Sequence, residues 1–163
     1  MARKVMIEQL GIYDNIHRNP VNRLMHAVGI PVIMFSVLSA AALIHFPLGG
    51  ILGYFFNLGM VLVVFGAVII GRYDPVSGIA LGVFSTVLTV CGVGVANAIG
   101  NLAALALFVG LFIAGWIIQF AGHAIERAGP AFGSRPLNLL LGPVSVLNDV
   151  LPLVRPAPWR KPN

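Results

Sequence analysis

His17 and His26 stand nine residues apart, on either side of an Asn19-Pro20 pair, and His123 lies far along the chain. Each has polar company at helical spacing. Tyr13 and Asp14 come four and three positions before His17, and Asn22 comes four before His26. Gln119 and Glu126 flank His123 at minus four and plus three, on the same helix face. Three imidazoles with a carboxylate suit a divalent first-row metal, non-haem Fe(II) or Zn(II). Tyr13, Asn22 and Gln119 are then placed to orient the ligands. His-x8-His is equally compatible with helix capping, snorkelling and interhelical hydrogen bonds, so these residues alone leave both readings open. Other chemistries fit worse. Four histidines are too few for the histidine boxes of membrane di-iron desaturases. Ser134, the only serine near His123, lacks the context of a nucleophile elbow. The glycines carry no Gly-Lys-Ser/Thr phosphate loop.

The elements that must position these groups are apolar. Of 163 residues, 58% are hydrophobic and 9% charged, against about 25% charged in soluble domains. Four stretches lack any Lys, Arg, Asp or Glu: about 24–46, 51–71, 76–96 and 99–121. About 20 such residues cross a bilayer core as a helix. The expectation is an all-α integral membrane protein, a single domain over 1–163 built as a four-transmembrane-helix up-down bundle. Four crossings put all ten Lys and Arg on one side, the cytoplasmic side by the positive-inside tendency, with both termini. The same side collects His17, His26, His123 and all five acidic residues. His45 follows His26 by 19 residues, about 28 Å along a helix, and belongs at the opposite face. The net charge of +5 reads as orientation signal and anionic-lipid contact, not nucleic-acid binding. The first 23 residues are polar and mixed, so no cleavable leader is expected. Short loops and more Arg than Lys point to a bacterial inner membrane, or the endoplasmic reticulum in a eukaryote.

Outside the spans, Val5–His17 reads as a short amphipathic interfacial helix. Asn19-Pro20 reads as a helix start, with Asn as cap and Pro in the first turn. The segment 137–154 is apolar but interrupted by Pro143 and Pro152, and reads as interfacial or re-entrant. A fifth crossing there would put Arg155, Arg160 and Lys161 outside. Gly78 and Gly82 have the spacing of close helix contact, which intrachain packing satisfies; an oligomer is possible but not indicated.

Two blocks carry a family resemblance. One is Tyr13-x3-His17-x-Asn19-Pro20-x-Asn22-x3-His26-x2-Gly29-Ile30-Pro31. The other is Gly115-Trp116-x2-Gln119-Phe120-x-Gly122-His123-x2-Glu126-x3-Pro130-Ala131. In both, the chain resembles the membrane-embedded 2-hydroxy fatty acid dioxygenase family, over about residues 10–155. The resemblance implies Fe(II)-dependent α-oxidation, in which a long-chain 2-hydroxy fatty acid and O2 give CO2 and the acid one carbon shorter. It implies His17, His26 and His123 as ligands, with Glu126 and Asp149 as the catalytic carboxylates that complete the shell or fix a tautomer. Arg23, Arg72, Arg127 or Arg135 would pair the substrate carboxylate. Asp74-Pro75 resembles the family's inner loop. Arg18 stands where some members have histidine, and Arg127 is followed by Ala128-Gly129 where further basic residues are common. Two rivals remain at this level. One is a haem-binding electron carrier with His26 and His123 as axial ligands. The other is a non-enzymatic lipid-binding or scaffold protein.

Overall fold

The computed structural model describes residues 6–8, 10–11, 17–48, 50–126 and 138–151, and its regular elements there are helical throughout. Among the described residues five α-helices have defined bounds: α1 Pro20–Ala42, α2 Leu58–Gly71, α3 Pro75–Ile99, α4 Asn101–Glu126 and α5 Asn138–Val150. A 3-10 turn, Gly50–Tyr54, precedes α2.

Side-chain caps set the helix starts. Asn19 accepts a hydrogen bond from the Val21 N–H at 2.9 Å, and Pro20 opens α1 as the sequence predicts. Asp74 caps α3, accepting from the Ser77 N–H at 3.0 Å and the Ser77 hydroxyl at 2.6 Å. Its carboxylate is thereby occupied in shaping the α2–α3 connection. Gly100, at φ 83°, ends α3 in a conformation closed to most side chains, and α4 begins at the next residue.

Helices α1, α3 and α4 hold 23, 25 and 26 residues, long and apolar enough to cross a membrane. The expected second span, 51–71, differs. It is α-helical only from Leu58, and the 14 residues of α2 rise about 21 Å. Asn57 decides where α2 starts, accepting from the Met60 N–H while its own amide donates to the Tyr54 carbonyl, both at 2.9 Å. Before it, the chain folds back on itself. The Phe46 N–H donates to the Phe56 carbonyl, and the Leu58 N–H to that of Ile44. Among the described residues three helices, not four, therefore have the length to cross unaided.

Helix α1 is central and packs on the other four. It runs antiparallel to α4: Ile33 lies against Gly115, and the Phe35 and Phe108 rings meet edge to face at 5.6 Å. Gly59 of α2 abuts Leu38, and Gly92 of α3 abuts Ser39. Gly78 and Gly82 face Gly71 and Ala67 of α2, so both serve packing within the chain. The exterior is apolar, with Leu102, Ile79 and Val83 exposed, whereas Ser36, Ser39, Ser85 and Thr89 are buried. Small polar residues between helices and aliphatic residues outside are what a lipid solvent selects.

At the end where α1 begins, Leu141–Asn148 of α5 are all buried. Leu141, Val144 and Leu147 cluster with Ile70, Leu81, Met6 and Leu10. Residues 6–8 and 10–11 are helical, and Met6 and Leu10 pack within the protein, where the sequence alone suggested an interfacial surface.

Candidate metal centre

Three separate elements deliver the histidines. His17 lies in the short extended segment before α1, His26 on the second turn of α1, and His123 on the last turn of α4. Antiparallel packing of α1 and α4 makes a helix start and a helix end neighbours. All three side chains are buried, at 3%, 5% and 8% exposure. The ring centroids lie 4.4 Å (His17–His26), 4.8 Å (His26–His123) and 5.3 Å (His17–His123) apart.

The nitrogens converge as well as the rings. His26 Nδ1 lies 2.9 Å from the Asn22 carbonyl oxygen. Only an N–H can donate there, so the lone pair falls on Nε2. That Nε2 lies 3.3 Å from His123 Nε2. Two nitrogens bound to one ion at about 2.1 Å stand about 3.0–3.4 Å apart for right-angled to tetrahedral geometry. One ligand atom from each of the three histidines fits within 4.8 Å of the others. Neutral, buried, convergent imidazoles fit a divalent first-row metal, iron and zinc among them.

Glu126 sits beside this group without pointing its oxygens at it. Oε1 accepts from the Arg18 N–H at 2.7 Å and the Asn19 N–H at 3.0 Å. Oε2 accepts from Asn22 Nδ2 at 2.8 Å. Two of these donors are backbone N–H groups just ahead of α1 and the third is a side-chain amide on its first turn, at the helix end where the dipole favours a negative charge. The carboxylate thus ties the end of α4 to the segment bearing His17. Sequence spacing placed Glu126 near His123 but did not identify this clamp. The available signal was a helix start at Asn19-Pro20 matched by an acid at the end of another helix.

Asn22 has two roles, its carbonyl orienting His26 and its amide holding Glu126. Close approach at this point depends on Gly122. A Cβ there would collide with Asn22 Oδ1 and come within 3.3 Å of Met25 Cβ. Gln119 is buried between α1 and α4, one turn from His123. Asp149 pairs with Arg23 at 2.5 Å, bridging α5 to α1, with both side chains about one-third exposed. Arg72 is exposed in the α2–α3 connection. His45 lies at the other end of α1, bridged to Asn57. Tyr13, Arg127 and Arg135 fall outside the described residues.

Comparison with known proteins gives two matches. The family model described as "2-hydroxy-palmitic acid dioxygenase Mpo1-like" matches residues 4–152. The 2-hydroxy-palmitic acid dioxygenase MPO1 of Saccharomyces cerevisiae is 29% identical over 160 residues, covering 88% of this chain and 78% of that protein. No solved structure matches the chain.

Proposed function

Because the chain belongs to the Mpo1-like family of 2-hydroxy-palmitic acid dioxygenases, we propose that it converts a long-chain 2-hydroxy fatty acid to the acid one carbon shorter. The observation that carries this reading is the meeting of three buried imidazoles, from three separate elements, within 4.8 Å. The reaction balances with O2 alone. A 2-hydroxy acid plus O2 yields the shortened acid, CO2 and water. The substrate itself supplies all four electrons, so no second reductant is required.

His17, His26 and His123 would hold the ion, and Fe(II) bound there would supply O2 activation. Asn22 keeps His26 in the tautomer whose Nε2 carries the lone pair that would ligate. Glu126 acts as a positioning residue that holds the His17 segment against α4. Asp149 keeps Arg23 at the mouth of the site. Arg23 and Arg72 make this end basic and draw in a fatty acid carboxylate, while its tail follows the apolar helices; Arg127 and Arg135 are kept as carboxylate partners on the sequence reading alone.

The membrane arrangement follows from the same end-to-end logic. Helices α1 and α3 run parallel, so the chain between them must return, and α2 with its preceding turn makes the fourth crossing. Both termini and the histidine end then face the cytoplasm, the inner-membrane side in a bacterium. The haem alternative fits less well. A macrocycle would have to lie between His26 and His123, whose Nε2 atoms are 3.3 Å apart, with the His17 ring beside them.

The test is incubation of purified protein with Fe(II), O2 and 2-hydroxypalmitate. Appearance of the C15 acid and CO2 is expected, with loss on chelation and recovery on adding Fe(II) but not Zn(II). An iron-replete protein that forms no C15 acid would overturn the reading.

A further inference from the structure

We propose that the Gln119 side-chain amide donates a hydrogen bond to the 2-hydroxyl oxygen of the bound fatty acid, and so selects hydroxylated over plain acids. This rests on the function proposed above and adds to it the residue that reads the hydroxyl.

Gln119 is 5% exposed, and its Nε2 has no hydrogen-bond partner among the described residues. Buried amide N–H groups are rarely left unpaired, so one beside a candidate site points to a ligand that completes it. Its placement favours this. Gln119 precedes His123 by one turn of α4. It packs against Gly29, which follows His26 by about one turn of α1. Both helices therefore put the amide one turn deeper into the bundle than the imidazoles.

Gly29 is what admits it. A Cβ at Gly29 would stand 2.8 Å from Gln119 Nε2 and 3.2 Å from the Gly115 carbonyl oxygen. The close seam between α1 and α4 thus carries one polar side chain at this depth.

The chemistry of the ligand follows from what the amide offers. Its N–H groups seek a lone pair, which a hydroxyl oxygen supplies as well as a carboxylate does. A fatty acid whose carboxylate reaches in from the basic end to the depth of the imidazoles, and whose tail runs on inward along the helices, brings its C2 to this depth. The oxygen on C2 is the acceptor available there. A plain fatty acid presents a methylene instead and leaves the amide unpaired. A site built to hydrogen-bond a hydroxyl rejects the analogue lacking it for that reason.

The experiment is titration of metal-free protein in detergent with 2-hydroxypalmitate and with palmitate, by calorimetry, for wild type and Gln119→Leu. Without metal, chelation makes no contribution to the preference. Wild type is expected to prefer the hydroxy acid roughly tenfold, the scale of one buried hydrogen bond, and Gln119→Leu to bind the two acids alike. Iron stoichiometry should be unchanged in the variant. If Gln119→Leu does not fold, the nearly isosteric Gln119→Met answers the same question.

A folded variant that retains the wild-type preference overturns the proposal. So does a wild type that binds both acids equally, or a variant that loses iron while keeping its preference, since the amide would then serve only His123. Absence of C15 acid from wild type is a separate result: it defeats the enzymatic reading while the binding preference is still measured.

Discussion

His26 illustrates how few bonds define the centre. Its Nδ1–H donates to a carbonyl one turn back in its own helix, and its Nε2 faces His123. The tautomer is thus fixed locally, while the partner nitrogen comes from another helix. Replacing His17, His26 or His123 by Ala is expected to abolish iron binding and C15 acid formation, whereas His45→Ala should change neither. Elemental analysis alongside product analysis checks both, and an active, iron-replete His26→Ala protein would remove the assignment. Glu126 makes a different prediction, because its oxygens accept from Arg18, Asn19 and Asn22. Glu126→Ala should lower the melting temperature by several degrees and weaken iron binding. Glu126→Gln, which keeps an acceptor oxygen, should recover part of each. Equal iron affinity in all three proteins would show that the clamp does not position His17.

Among the elements, the α1–α4 seam matters most, since it carries two of the three histidines on antiparallel helices. Gly122 lets Asn22 lie against α4, while Gly94 on α3 has nothing within 4 Å of its would-be Cβ. Gly122→Ala is expected to destabilise the protein by about 1–3 kcal/mol through overpacking. Gly94→Ala should be neutral or slightly stabilising, because alanine is the better helix former. Thermal unfolding in detergent compares them, and similar melting temperatures would mean the seam tolerates separation. A helix start was legible in the sequence where a cap announced it, as at Asn19-Pro20, whereas Asp74-Pro75 was read as a loop and caps α3. The start of α2 was not legible. Its cap, Asn57, sits within apolar sequence on both sides, and it is the pairing of residues 44–46 with 56–58 that shows the chain folding back there.

For the whole molecule, the open question of topology becomes a direct measurement. In a Cys91→Ser background, single cysteines at Leu48 and Arg72 should react with an impermeant maleimide from opposite sides of the membrane. Labelling of both from one side would mean that α2 and its preceding turn do not cross. Membrane residence and the shared end for the three histidines were readable from sequence, because both depend on additive quantities: apolar run length and the count of residues between charges. Those quantities also removed His45. What they could not supply was pairing. Whether Glu126 addresses a metal or the start of α1, whether α5 lies on a surface or inside the protein, and whether Gln119 has a partner all depend on which helix faces which. That is decided by contacts between residues far apart in the chain, through close approach at Gly29, Gly115 and Gly122. Spacing along one helix carries no record of the helix packed against it.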